Sequence, residues 1–274
     1  MGLKLMYITN DENVAKIAEN SQVDWVFIDL EINGKDERQG HLDTVISRHS
    51  INDVKKIRRV LTKAELLVRV NPIYEGSEQE INKVIKDGAD IIMLPFFKTV
   101  EEVQTFVDYV NGRVKTCLLL ETAEAVENID AILSIKGIDY IHIGLNDLHL
   151  SYGMQFMFEL LVNGMVESLC NKIKGKGITY GFGGIAQVGQ GALPAENIIG
   201  EHYRLGSSMA ILSRSFCDLN VFNNLDKVSD LFKSGIKEIK DFEVQLKNKS
   251  ESYYHNNKKI IDQKVSDIVY SITR

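Results

Sequence analysis

From its first residues the chain alternates short runs of apolar and β-branched residues with longer stretches in which apolar positions recur every three or four residues. The first pattern suits strands buried on both faces and the second suits amphipathic helices. Their regular alternation marks βα units around a parallel sheet. The runs predict strands over Leu3–Ile8, Val23–Leu30, Leu66–Val70, Asp90–Leu94, Thr116–Glu121, Tyr140–Gly144, Thr179–Gly183 and Tyr203–Ser208. The periodicity predicts helices over 12–19, 51–61, 78–87, 100–110, 123–134, 156–174 and 195–200. Glycine supports several helix ends: Asp87-Gly88, Asn111-Gly112 and Lys136-Gly137 each close a stretch just before a strand, where a left-handed terminal residue is expected.

Eight such units favour a closed (β/α)8 TIM barrel over an open doubly wound sheet, which normally has fewer strands and a glycine-rich first turn. No G-x-G-x-x-G follows the first strand. After Phe216 the pattern changes to helices over 230–242 and 260–271, joined by the polar stretch LKNKSESYYHNNKK. The expected organisation is a barrel core over 1–215 and a C-terminal helical extension over 216–274, packing on the barrel or on a neighbouring subunit.

Composition narrows the picture. The length of 274 residues suits one barrel, a fold that typically takes roughly 250 residues. With 44% hydrophobic and 26% charged residues the chain buries a large core, which excludes a disordered or fibrous class. The net charge of −6 arises from interspersed acids and bases without a dense Lys/Arg block, so nucleic acid is not an expected partner. The start, MGLKLMYITNDENV, lacks the apolar stretch of a signal peptide, and no apolar run approaches a membrane span. A cytoplasmic protein with no membrane partner is expected. Cys117, Cys170 and Cys217 are widely spaced and read as buried thiols rather than a disulfide framework or zinc site.

In a barrel of this kind chemistry belongs at the C-terminal ends of the strands. Asp29 and Glu31 alternate onto one side at the end of strand two, as solvated acids or as catalytic groups. Arg69 sits in the otherwise apolar LLVRVNP. An unpaired guanidinium is costly there, so it serves either an internal salt bridge or the bidentate capture of a substrate carboxylate. Glu121 is the first charge after the apolar run of strand five, and Asp147 follows strand six in a loop that opens at Gly144 and includes Asn146. Two carboxylates from adjacent strand ends suit a hard cation, Mg²⁺ or Mn²⁺. Gly183 and Gly184 after strand seven, and Gly206 to Ser208 with Ser207 after strand eight, are read either as tight turns or as places where a ligand approaches the backbone.

These blocks, VFIDLE, LVRVNP, DGADIIMLP, LLLETAEAVENIDAIL and GIDYIHIGLNDLHLSYG, resemble the HpcH/HpaI aldolase and citrate lyase family over roughly Val23 to Gly153. The resemblance implies that Glu121 and Asp147 hold a divalent metal and that Arg69 binds the carboxylate and oxo group of a pyruvate-type enolate. Apart from the resemblance, Gly144, Asn146, Gly183, Gly184 and Ser207 are the candidate substrate-lining positions at the strand ends. The resemblance implies a class II aldolase acting on a small 2-oxo acid and an aldehyde, and a homo-oligomer. The wording of the last third, similar to relatives associated with bacterial surface-polysaccharide genes, suggests a sugar-derived aldehyde.

One departure concerns the base. Family aldolases carry a histidine after the strand-two acid, whereas here Ile32 stands in that place. Asp29, Glu31 and His41 are the catalytic candidates besides Arg69, with His49, Glu37 and Arg38 also available for the proton. His142 and His149 flank the metal motif; His142 reads as a packed strand residue, and substrate contact is the lesser of the readings for His149. The alternatives are a citrate-lyase-β-like acyl-CoA or acyl-ester lyase, a synthase using phosphoenolpyruvate, and a non-catalytic assembly subunit.

Overall fold

A computed structural model describes residues 2–32, 49–213, 216–217 and 224–274. Eight parallel strands follow one another in chain order around a closed barrel: β1 (Lys4–Ile8), β2 (Trp25–Asp29), β3 (Glu65–Arg69), β4 (Ile91–Leu94), β5 (Lys115–Leu120), β6 (Tyr140–Ile143), β7 (Thr179–Ile185) and β8 (Met209–Leu212). The helices among the described residues are α1 (Glu12–Asn20), α2 (Ile51–Arg58), α3 (Ser77–Lys86), α4 (Val100–Val110), α5 (Ala123–Glu127), α6 (Ile129–Ile132), α7 (Leu145–Ser151), α8 (Glu159–Val162), α9 (Met165–Gly175), α10 (Ala195–Leu205), α11 (Leu225–Leu246) and α12 (Glu251–Ile272). The expected barrel with C-terminal helices is therefore the fold. No described helix is long and apolar enough to cross a membrane.

By contacts the chain divides into two compact units, one over Met6–Ile141 and the other over His142–Arg274 with the first five residues. In the first, β2 to β5 run in register, with Trp25 beside Glu65 and Asp29 beside Arg69. Trp25 donates its indole N–H to Glu65 at 2.7 Å and meets Tyr140 edge-on at 4.9 Å. Helix starts are capped as their sequences require. Asp11 accepts from the amides of Asn13 and Val14, and Thr99 with Glu102 forms a capping box at α4. Glu19, at the end of α1, is buried and accepts the backbone N–H groups of Thr62, Lys63 and Ala64. Those three bonds lock the entry to β3.

In the second unit β7 pairs with β8, and α10 packs on both β7 and α12. Asn257 of α12 is buried there, accepting from Asn197 Nδ2 at 2.8 Å and donating to the Asn197 carbonyl at 3.0 Å. Arg204 bridges Glu201 and Glu167 beside it.

Several boundaries differ from the sequence reading. The expected eighth strand, Tyr203–Ser208, is the end of α10 and its turn. Gly206, at φ 70°, is the left-handed cap of that helix, and β8 begins at Met209. Asp147 lies in a helix, α7, where a loop was expected. The stretch 156–174 is broken at Asn163-Gly164 into α8 and α9, and 123–134 at Asn128 into α5 and α6. The tail helices are longer than their periodicity indicated, 22 residues each.

Candidate active site

The strand-two and strand-three exits make one ionic cluster. Asp29 ends β2 opposite Arg69, the last residue of β3. Arg69 donates through Nε to Asp29 Oδ1 and through Nη2 to Asp29 Oδ2, both at 2.8 Å, while Nη1 lies 3.3 Å from Glu31 Oε2. This is fork-to-carboxylate geometry, the strongest form of the pair. Asp29 and Glu31 are only 2% and 1% exposed, so neither is a solvated surface acid. Burial opposes the guanidinium charge, but Asp29 and Glu31, with Glu121 adding to the field, push its pKa further above the ordinary value. Arg69 therefore stays a cation. Three of its N–H groups are committed to these carboxylates. Because the guanidinium carries five donors in all, one on each terminal nitrogen remains to be given among the described residues.

Two neighbours hold this cluster. Asp29 donates its backbone N–H to His49 Nδ1 at 3.0 Å. That contact ties the His49 ring to the backbone at the exit of β2. Ile32, 62% exposed, donates its N–H to Asn71 Oδ1 at 2.9 Å, and Asn71 Nδ2 donates to Glu80 Oε1 at 2.8 Å. Glu80 needs to accept, which turns the Asn71 amide so that its oxygen faces Ile32. Burial raises the pKa of Glu80 above the usual carboxylate range, despite the bonds from Asn71 and Tyr74 that oppose the rise. Neither Asn71 nor Glu80 was expected from sequence. The only signal was the polar Asn-Pro pair directly after the apolar strand. His41, with Glu37 and Arg38, lies outside the described residues.

Glu121 follows β5 and is 3% exposed. Its Oε1 accepts the Phe96 N–H at 3.1 Å. The turn that carries Phe96 is tied again by the Thr122 hydroxyl, which donates to the Phe97 carbonyl at 2.6 Å, and by Asn128 Nδ2, which donates to the Lys98 carbonyl at 3.1 Å. A carboxylate at a strand exit is the donor type of a hard divalent cation, which accepts one or two carboxylates and completes its shell with water or substrate oxygen. Groups of three or more His, Cys, Asp or Glu side chains poised for a metal are absent among the described residues, so a closed zinc-type site is not what this residue set offers.

In the other unit, Gly144 caps α7, Asn146 is half-buried in its first turn, and Asp147 beside it is 9% exposed. A carboxylate there is favoured by the helix dipole. His149 Nδ1 bonds to the Leu145 carbonyl at 3.1 Å, and His142 Nε2 to the Gly183 carbonyl at 3.0 Å. His142 is 1% exposed, a packed strand residue as its sequence suggested. Gly183 and Gly184 lie within β7 rather than after it. Gly183 has φ 54°, and a Cβ there would come within 2.8 Å of Leu145, so its lack of a side chain already has a packing reason. Ser207 precedes β8, and its hydroxyl lies 2.7 Å from His202 Nδ1. It stands at the entrance of the strand, not at its exit, because the strand was placed too early in the sequence.

The sequence profile of the family described as HpcH/HpaI aldolase/citrate lyase matches residues 4–159. A hydroxypyruvate/pyruvate aldolase of Roseobacter denitrificans is 28% identical over 174 residues, 51% of this chain and 60% of that protein. The match therefore spans less than two thirds of that relative. A 2-keto-3-deoxy-L-rhamnonate aldolase of Salmonella paratyphi B is 28% identical over 204 residues, 62% of this chain and 69% of that protein. Among solved structures, an HpcH/HpaI aldolase from Desulfitobacterium hafniense superposes with a TM-score of 0.61 at 15% identity, covering 87% of this chain and 93% of that one. The citrate synthase SbnG gives 0.61 at 18% identity, covering 84% and 94%. At such identities the structural likeness speaks for the fold.

Proposed function

The chain belongs to the HpcH/HpaI aldolase/citrate lyase family, and from that premise we propose that it is a carbon–carbon lyase interconverting a 4-hydroxy-2-oxo acid with a pyruvate-type 2-oxo acid and an aldehyde. The observation that carries the reading is Arg69. It is fixed by Asp29 and Glu31, it stays charged, and among the described residues it has one further N–H to offer from each terminal nitrogen. A 2-oxo carboxylate presents two acceptors to such a fork. In the cleavage direction the 4-hydroxyl loses its proton and the C3–C4 bond breaks. The aldehyde leaves, and the electron pair settles on the C2 oxygen as an enolate. The proton then returns to C3. Arg69 stabilises the enolate because charge develops next to a cation that needs no reorganisation.

Glu31 is the described residue proposed to move the proton. Both oxygens of Asp29 are engaged in the Arg69 fork, and Glu31 Oε2 lies 3.3 Å from Arg69 Nη1, beside the place proposed for the substrate. His41 is a second proposal for the same step, resting on sequence alone. Glu121 is proposed as a ligand of Mg²⁺ or Mn²⁺, and the resemblance alone carries the same role to Asp147. A cation held there would act as a Lewis acid toward the substrate oxo group. The relatives' names, one a pyruvate aldolase and one acting on a deoxy sugar acid, favour a sugar-derived aldehyde as partner.

The test is exchange of pyruvate methyl protons into deuterated water, followed by NMR with Mg²⁺ or Mn²⁺ and then with chelator. Metal-dependent exchange that is lost in Glu31→Gln supports the reading. No exchange with any divalent ion, in folded protein that cleaves an acyl thioester, would move the chain to the citrate lyase side of its family.

A further inference from the structure

Among the described residues three non-glycine positions have positive φ: Gln22 at 69°, Asn111 at 48° and Phe96 at 48°. Gln22 lies in the turn after α1, and Asn111 caps α4, a place and a residue type that accept the left-handed region. Phe96 has neither excuse. A bulky aromatic residue directly after Pro95 at the exit of β4 is strained in that region, and such strain persists only where surrounding bonds over-determine it.

Those bonds are present. The Phe96 N–H is held on Glu121 Oε1 at 3.1 Å. Immediately downstream, the Phe97 carbonyl is held by Thr122 and the Lys98 carbonyl by Asn128, while Lys98 Nζ pairs with Glu124 at 3.0 Å. The torsion about N–Cα of Phe96 is the joint between the two sets of ties. It has to turn left-handed for the amide to reach Glu121 while the next two carbonyls reach Thr122 and Asn128.

We propose that Phe96 is a positioning residue, whose left-handed backbone fixes the Glu121 carboxylate by occupying Oε1 and so determines how that carboxylate meets its ligand. The inference rests on the proposed cation-binding role of Glu121. Strain is the cost of a carboxylate that is oriented before the ligand arrives.

The aromatic ring is a separate feature. Lys98 Nζ lies 5.5 Å from its centroid, and the experiment has to divide ring from torsion. Phe96→Asn removes the ring and tolerates the left-handed region, Phe96→Gly does so more freely, and Phe96→Val keeps an apolar side chain that resists it. Mn²⁺ affinity of each whole chain is read by electron paramagnetic resonance of free Mn²⁺, and stability by urea midpoint.

Phe96→Asn and Phe96→Gly are expected to bind Mn²⁺ close to the unchanged protein, with midpoints equal or higher. Phe96→Val is expected to bind about tenfold more weakly or worse, the usual loss when a partner orienting a metal ligand is removed. If Phe96→Val does not fold, Phe96→Ala takes its place, with a weaker resistance to the left-handed region than Val, a greater one than Asn or Gly, and a smaller clash. Equal affinity in Phe96→Val and the unchanged protein overturns the proposal. So does a loss in Phe96→Asn as large as in Phe96→Val, which would assign the effect to the ring. If the unchanged protein does not bind Mn²⁺, the cation reading of Glu121 falls and takes this role with it, an outcome distinct from the failure of Phe96 alone.

Discussion

Arg69 is held by two carboxylates before any substrate arrives, and this decides how its substitution reads. Arg69→Ala leaves Asp29 and Glu31 buried against a missing cation, a change that typically costs about 3–5 kcal/mol, so inactivity there would report unfolding. Arg69→Lys keeps the charge and loses the fork. It should keep a cooperative urea transition while methyl exchange falls by about ten- to a hundredfold, the worth of one or two charge-assisted hydrogen bonds. Unchanged exchange in Arg69→Lys would remove the fork from the mechanism. Glu19 makes a different case. Burial raises its pKa, but the amides of Lys63, Ala64 and Thr62 and the Thr62 hydroxyl outweigh burial and leave the value lowered. A carboxylate with a lowered folded pKa contributes stability that is present above its unfolded value and lost as pH falls through the folded one. Glu19→Gln should therefore cost about 1–3 kcal/mol near neutrality. The gap from the unchanged protein in urea midpoint should close as pH drops below the ordinary carboxylate range. A gap independent of pH would mean that Glu19 acts by shape alone. Asp29, Glu31, Arg69 and Glu121 were legible in the sequence because each is a charge at the end of an apolar run. Phe96 and Glu80 were not. The partners that give them meaning lie 25 and nine residues away, and neither strain nor a raised pKa leaves a mark on residue type.

At the level of elements, β2 to β5 are each closed by a charge or a proline and their ends read well, whereas β8 was misplaced. The segment HYRLGSSMAIL contains a helix end, a left-handed glycine and a strand start within a few residues. The sequence reading placed Gly206 inside a strand over Tyr203–Ser208. The helix wins because His202 and Leu205 both face the core and Tyr180 donates its hydroxyl to the Leu205 carbonyl at 2.6 Å. Short polar breaks were invisible for a related reason: Asn128 and Asn163 interrupt helices whose apolar period continues past them. The seating of α12 on α10 depends on a polar contact that periodicity does not report. Asn257 satisfies Asn197 on both its oxygen and its nitrogen. Asn257→Ala should leave the half-buried Asn197 amide and carbonyl without these partners, lowering stability by about 1 kcal/mol. Hydrogen exchange should accelerate in α12 and α10 but not in α3 or α4. Uniform acceleration across all helices would show instead that the tail has no stability of its own to lose.

For the whole molecule, the count of eight alternating units favoured the barrel over an open doubly wound sheet, which normally has fewer strands, and the closed eight-stranded barrel is the fold. The family match ends at residue 159, shortly after α7. The residues proposed for enolate chemistry all lie before that point. A cation that binds the folded protein and not the unfolded chain must raise its stability, whatever the reaction turns out to be. The gain is about 2.7 kcal/mol when the free ion is a hundredfold above its dissociation constant. For a chain somewhat larger than 250 residues this corresponds to a Tm increase of about 5 °C. The unchanged protein should show that rise on titration with Mn²⁺ and lose it on addition of chelator. Glu121→Gln, which keeps the side-chain shape and an oxygen for the Phe96 amide but gives up the charge, should show little or none. An equal rise in both proteins would place the ion elsewhere, on the surface acids of a chain that carries a net charge of −6. Glu121 would then be left with Arg69 as its only proposed electrostatic role.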